Sequence, residues 1–403
     1  MSNSMSTSFD MSDKIRAQFD RLQRTSLTVG GIFAGLSVIY VFAFHGWDQF
    51  CKSYLFSFVY WVSIPLGCVA ILMMHHLTGG RWGYPIRRLL EAGSRTLVSM
   101  ALLFIPLFFG LAHLYPWARP ADVAADPILR YKRPYMNPAF FDVRAVIYFA
   151  IWFLLLFFLI RWSVEQDRTG DARLSGKLEA MSGPGLILWG IGITYSCVDW
   201  VMSIESHWFS TIYGMIFMII AALTSMSFII YVLRWLSDEQ PLKDAATPSQ
   251  YNDLGNLMLT FVMLWAYLQF SQFLIIWQGN LKDEIPWYKT RVFGGWAPFA
   301  ITLLILHFAV PFGLLLQRPV KRRLNALSKV TLALIFLSAL DVYWMVIPAF
   351  EADGPHFHPT DFLVWIAMGG IWLSAFCWRV KQLPLLPLHD PRFEGALEHE
   401  HGD

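Results

Sequence analysis

The chain has 403 residues, 56% hydrophobic and 15% charged, with a formal net charge of +2 and a mean hydropathy of +0.46. A soluble domain carries about 25% charged residues, so this composition excludes an ordinary soluble protein, and the near-neutral charge excludes a nucleic-acid binder. The cysteines, Cys51, Cys68, Cys197 and Cys377, are far apart and form no CxxC or CxxCH. The chain therefore carries no signature for its own iron–sulfur cluster, zinc ribbon or c-type haem. No glycine-rich phosphate loop points to nucleotide-driven transport.

Residues 1–26 are polar, Ser-rich and amphipathic, with no cleavable signal, and read as an N-terminal cytoplasmic segment. The stretches 53–80, 96–118, 208–233, 254–279 and 292–317 contain no Asp, Glu, Lys or Arg. Each exceeds the ~20 residues that cross a hydrocarbon core. The reading is an all-α polytopic membrane protein, since β-barrel strands are short and alternating. Ten spans are predicted at 27–44, 54–77, 96–117, 143–162, 185–204, 210–233, 254–277, 297–317, 327–348 and 361–378. The transmembrane domain is 27–378 and a cytoplasmic tail occupies 379–403. The fourth span is short between Arg144 and Arg161, two arginines expected to snorkel to the interfaces.

With the N-terminus inside, 22 of the 31 basic residues fall on the inner side. By the positive-inside rule both termini are then cytoplasmic. The 121–138 loop is outside and long enough to touch a partner.

Two spans carry a carboxylate at membrane depth, Asp199 and Asp341, each three residues after a serine, Ser196 and Ser338. A carboxylate there costs several kcal/mol on insertion scales of roughly 2.5–3.5 kcal/mol and marks a proton relay, an ion path or a paired cation. Tyr195 lies four residues before Asp199, on the same helical face. The seventh span has Trp265, Gln269 and Gln272 at helical spacing; the ninth has Ser338, Asp341 and Trp344 on one face. His75 and His76 lie near the inner side, His307 is mid-span, and Pro311 is placed to kink the eighth helix. Haem b would need histidines on facing helices; His75, His76, His113 and His307 supply no helix with two well-separated ligands. The candidate proton path is His75 and His76, then His307, Asp199 and Asp341 with Tyr195, Gln269 and Gln272, then outward past Glu205 and His207. The competing reading is that the aspartates only fasten helices, each hydrogen bond being worth about 1 kcal/mol. The Ser-x-x-Asp pattern recurs four spans apart, as in a parallel repeat, so spans 2–5 and 6–9 are expected to form two four-helix bundles with spans one and ten peripheral.

Three segments carry a resemblance. They are Asp199-Trp-Val-Met-Ser-Ile-Glu205-Ser-His207-Trp208-Phe-Ser210-Thr-Ile-Tyr213-Gly214, Phe270-Ser-Gln272-Phe-Leu-Ile-Ile-Trp277-Gln-Gly279-Asn280-Leu-Lys-Asp-Glu284-Ile-Pro286-Trp287-Tyr288, and His75-His-Leu-Thr-Gly79-Gly80-Arg-Trp82-Gly. They resemble the NrfD-like family, and within it the ActF-type quinone-binding subunit 2 of bacterial alternative complex III. Ser206 stands where that pattern has proline. The resemblance covers spans two to ten. It implies the NrfD-like fold of two four-helix bundles in a complex of the bacterial cytoplasmic membrane that oxidises quinol. The implied partners are a multihaem (pentahaem) cytochrome c, a monohaem cytochrome c, an iron–sulfur protein, a second NrfD-like quinol-binding subunit, a small membrane subunit and lipids. Haems and iron–sulfur clusters would sit in those partners, with none bound by this chain, and the sister subunit beside the iron–sulfur protein would hold the working quinol site. The chain would scaffold the complex and conduct protons. One alternative is a quinone-binding redox subunit, with Trp200 and Tyr195 as quinone contacts beside Asp199. The other is a stand-alone secondary transporter, against which the spans are long and lack paired broken helices.

Overall fold

A computed structural model describes residues 11–44, 46–387 and 390. Arg392 and the His- and Glu-bearing end of the tail lie outside the described residues. Among the described residues there are ten helices long and apolar enough to cross a membrane, so the protein is an all-α multi-pass membrane protein. They are α1 (Asp13–Phe44), α2 (Trp47–Thr78), α3 (Arg81–Phe109), α4 (Pro138–Thr169), α5 (Arg173–Trp200), α6 (Tyr213–Leu236), α7 (Pro248–Gly279), α8 (Gly294–Leu316), α9 (Leu324–Val346) and α10 (Pro359–Val380).

Most helices overrun the apolar runs that announce them. A 32-residue helix such as α2 is ~48 Å long against a hydrocarbon core of ~30 Å, so its ends stand clear of the lipid. The third span is displaced from 96–117 to Arg81–Phe109. Its first part, where the sequence reading put a charged loop, is helical because its charges satisfy one another. Arg87 and Arg88 both pair with Glu91, at 3.3 and 2.5 Å. Arg87 also reaches Asp390 of the tail at 2.5 Å, and Arg88 reaches Asp167. At the other end Gly110 and Tyr115 interrupt the helix, and 111–118 form two short turns. Left-handed glycines, Gly79 and Gly170, stop α2 and α4 at φ values of 61° and 66°.

The helices of the first bundle form a closed ring: α2 on α3, α3 on α4, α4 on α5 and α5 back on α2. The same holds for α6, α7, α8 and α9. The bundles meet along α2 and α6, flanked by α5 on α6 and α9 on α2. Exchanging each helix with the one four places on maps this set of neighbours onto itself, as a parallel repeat requires. Gly67 makes the central crossing possible: a Cβ there would lie 2.0 Å from the Ala221 carbonyl oxygen. Helices α1 and α10 lie outside the rings and pack on each other through small residues; a Cβ on Gly370 would meet the Ser26 carbonyl at 2.5 Å and Gly30 Cα at 2.7 Å. Helices α2 and α6 are almost wholly buried, whereas α1 and α8 face outward along most of their length.

Helix α8 is not regular. Leu303–Ala309 is a π-helical turn, followed by Pro311. Proline has no N–H, and its ring displaces the carbonyl four residues back, here that of His307. The widened turn takes up the mismatch without a sharp break, and such turns often coincide with functional sites.

Candidate functional site

The two matched aspartates occupy opposite electrostatic settings. In the first bundle Asp199 is neutralised. Arg144 on α4 grips it with two parallel bonds, Nε to Oδ2 at 2.7 Å and Nη2 to Oδ1 at 3.0 Å. Tyr148, one turn further along α4, donates its hydroxyl to Oδ2 at 2.6 Å. The guanidinium lies 3.8 Å from the centre of the Tyr135 ring and donates Nη1 to the Tyr135 carbonyl at 2.8 Å. Both partners are buried. The paired Arg fork and carboxylate match in geometry, so Arg144 does not snorkel to the interface: it turns inward to the one acidic group that needs it.

Tyr195 is not part of this arrangement. It is half exposed on the outer side of α5, while Asp199 faces α4. The tyrosine on the carboxylate is Tyr148 instead. Four residues turn a helix by about 400°, a 40° offset that here separates an outward face from an inward one. Trp200 is buried among Phe58, Phe104, Phe149 and Trp152, with ring centroids 5.0 to 6.0 Å away, and its carbonyl accepts from the Tyr115 hydroxyl at 2.8 Å. Trp200 and Tyr195 thus share no slot.

In the second bundle Asp341 is fully buried and has no cation beside it among the described residues. Trp265 of α7 donates its indole N–H to Oδ2 at 2.7 Å, while Oδ1 has no hydrogen-bond partner. Of the three polar residues at helical spacing on α7, Trp265 is therefore the one shown to reach α9. His307, also fully buried, lies edge-on to Trp265 with centroids 4.5 Å apart. Its Nε2 is 3.3 Å from the Ser338 hydroxyl, one turn from Asp341, and its Nδ1 has no partner. The π-helical turn of α8 sets this histidine between α7 and α9. An isolated carboxylate in such surroundings is costly, whereas a carboxylic acid is not. The histidine and the acid leave one unfilled polar atom each, at the depth where charge is dearest.

The other residues singled out in the sequence lie at the two ends of the bundles. Glu205 accepts from Arg291 at 2.6 and 3.3 Å, and Arg291 is fully buried, stacked on Trp287 at 4.1 Å. Gln272 accepts from Ser210 at 3.0 Å and donates to Tyr288 at 3.3 Å, while Gln269 Nε2 has no partner. Trp208 stacks on Trp287 with centroids 4.8 Å apart. The motifs 199–214 and 270–288, distant in sequence, therefore interlock as one cap over the C-terminal ends of α5 and α7 and the start of α6. His207 is exposed and donates from Nε2 to Asp126 of the 121–138 loop at 2.5 Å; this bond holds the Asp126 carboxyl below the usual carboxylate range. Lys132 of that loop donates to the Ser206 carbonyl at 2.6 Å. His75 and His76 are buried in the last turn of α2, His75 edge-on to Trp82 and Tyr84.

Sequence reasoning passed over another buried carboxylate, Asp361. Asp361, in the first turn of α10, accepts from Ser53 at 2.5 Å, Gln49 at 3.3 Å, the Tyr343 hydroxyl at 3.2 Å and the His358 amide at 3.1 Å. Its position on the last predicted span edge concealed it, although Ser53 and Tyr343 both belong to helices already singled out. Asp361 is well solvated by protein donors and carries no unfilled oxygen comparable to that of Asp341. Among the described residues no three His, Cys, Asp or Glu side chains are grouped to hold a metal ion. Compared with known proteins, the chain matches no family model and no curated protein.

Proposed function

We propose that this chain is an integral membrane subunit of a quinol:electron-acceptor oxidoreductase of the alternative complex III type, scaffolding the assembly and carrying protons through its second bundle. The observation that carries the proton reading is Asp341, buried without a counter-ion, with a free Oδ1 and with His307 and Ser338 one side chain away. A group that must change charge cannot be locked to an arginine, because the cation would hold the carboxylate ionised. That reasoning divides the two aspartates. Asp199 braces α4 and α5, and Asp341 takes up and releases a proton. In this reading His307 and Ser338 pass protons to Asp341 from the inner half, and Trp265 fixes the carboxyl. Gln269, with its unfilled amide donor on the same helix as Trp265, lies toward the outer exit.

The complex reading draws on the interlocked 199–214 and 270–288 segments, the resemblance they bear, and the broad cap they build on the outer face, with the 121–138 loop tied to it through His207 and Lys132. The assembly would sit in the bacterial cytoplasmic membrane with both termini inside, against cytochrome c and iron–sulfur partners that supply the redox centres. Quinol would be oxidised by the sister subunit.

Tagged chain purified from native membranes in mild detergent tests the complex. Co-purifying c-type haem is expected, and a colourless monomer from membranes that contain the haem proteins would refute it. The proton role is tested separately in the reconstituted assembly: Asp341→Asn should abolish turnover-linked pH change while leaving the subunits together. Loss of assembly in Asp341→Asn would instead make Asp341 a brace.

A further inference from the structure

We infer that the cleft between the inner ends of α3, α4 and α10 is a binding site for an anionic phospholipid, its phosphate held by Arg95 and Arg379 and an acyl chain lying along α4. The cleft encloses about 760 Å³ and is walled by Arg95, Arg161, Arg168 and Arg379, with one acid, Glu165. Four guanidinium groups against one carboxylate leave a marked positive excess. None of the five forms an ion pair among the described residues, although elsewhere in this protein buried arginines such as Arg87, Arg144 and Arg291 all find carboxylates.

The arrangement of Arg95 and Arg379 is the second, independent observation. They come from different helices, feel each other's charge, and both donate to one amide oxygen, Gln382 Oε1, at 2.5 and 3.3 Å. Arg95 Nη1 is shielded from solvent yet has no hydrogen-bond partner. Two like charges converging on a neutral oxygen, with a donor left over, are arranged for an anion rather than for each other. A phosphate oxygen accepts from such a pair with charge-assisted bonds.

The depth of the site selects a lipid over a free ion. Arg95, Arg161 and Arg379 each stand where a charge-free run of their own helix begins or ends on the N-terminal side, the level at which headgroups meet the acyl region. Below Arg161 the floor is apolar and descends through Phe157, Leu156 and Phe153. Eight residues from Arg161 to Phe153 span ~12 Å, enough to seat much of an acyl chain. Basic pockets between spanning helices on the inner side are a recurrent form of headgroup site.

The test uses the full-length chain, purified and stripped of lipid in detergent. Dioleoylphosphatidylglycerol, dioleoylphosphatidylcholine and inorganic phosphate are added separately. The thermal midpoint and the lipid retained in native mass spectrometry are read. Phosphatidylglycerol should bind and raise the midpoint, phosphatidylcholine should do so far less, and phosphate alone should not. Arg95→Gln with Arg379→Gln should weaken phosphatidylglycerol about tenfold or more, while Arg130→Gln, an exposed arginine of the outer loop, should change nothing. If the double variant does not elute as folded protein, the exposed pair Arg161→Gln with Arg168→Gln must lower affinity instead. Equal binding of the zwitterionic lipid, an equal effect of phosphate, or undiminished binding in the folded variants overturns the proposal. So does the absence of any phosphatidylglycerol binding, which would leave the cleft to a protein partner.

Discussion

Replacing Arg144 by Met removes the only cation of a buried pair and leaves the Asp199 carboxylate behind. Both side chains are nearly inaccessible, at 9% and 2% exposure, and the guanidinium supplies two of the three donors on that carboxylate. Breaking a pair of this kind by removing one partner costs about 3–5 kcal/mol. At 1.4 kcal/mol per factor of ten, the folded-to-unfolded ratio falls roughly a hundredfold to several thousandfold. Removing the charges together is a different matter, since an apolar replacement of similar volume is roughly neutral. The Tyr148 hydroxyl must then be removed as well, because an orphaned buried hydroxyl costs about 1–3 kcal/mol. The combination Arg144→Met, Asp199→Leu and Tyr148→Phe should therefore recover most of the stability lost in Arg144→Met alone. Reversible unfolding by SDS titration in mixed micelles, followed by tryptophan fluorescence, measures each variant. Should Arg144→Met remain within about 1 kcal/mol of the wild type, Asp199 is not an ionised partner and the division between the two aspartates collapses.

At Gly370 a leucine side chain has no space against Ser26 and Gly30, so Gly370→Leu should separate α1 from α10, costing about 1–3 kcal/mol; proteolysis between α1 and α2 would rise, and unchanged resistance would count against the contact. The bond from His207 depresses the Asp126 carboxyl, so its contribution to holding the 121–138 loop is present above the unfolded carboxylate pKa of about 3.9 and is lost as pH falls through the lowered folded value. Amide exchange across residues 120–132 should rise in that acid window, and His207→Ala should move the onset upward; an onset unmoved by His207→Ala contradicts the pairing. Reporter fusions at Gly170, Pro241 and the C-terminus should report cytoplasm, and fusions at Ala125 and Gly354 the opposite side; reversal at several sites would overturn the orientation.

The spans were legible because lipid disfavours charge over ~20 residues, and the five long charge-free runs mark half of the ten helices directly. Their ends were less legible. Arg87, Arg88 and Glu91 fall between the predicted spans 54–77 and 96–117, and only their spacing of three and four residues hints that they could pair along a helix. The third-dimension partners, Ser163, Asp167 and Asp390, come from distant segments. Asp199 and Asp341 stood out as costly residues, but their local patterns are the same, and nothing within either helix separates them. The difference lies in the neighbour: α4 presents Arg144 to Asp199, whereas α7 and α8 present Trp265 and His307 to Asp341. Tyr195 was chosen by spacing on its own helix, and the side chain that reaches Asp199, Tyr148, lies 51 residues away. Pro311 signalled an irregular α8; that the irregularity would be a π-helical turn placing His307 against Trp265 depended on packing between helices.

On the proposed proton role, Asp341 alone of the two matched carboxyls changes protonation. Infrared spectra of the wild type, Asp341→Asn and Asp199→Asn in lipid bilayers compare them most directly. The account predicts that Asp341→Asn removes a protonated-carboxyl C=O band and that Asp199→Asn removes only carboxylate absorption. Loss of the protonated-carboxyl band in Asp199→Asn, with Asp341→Asn unchanged there, would contradict it.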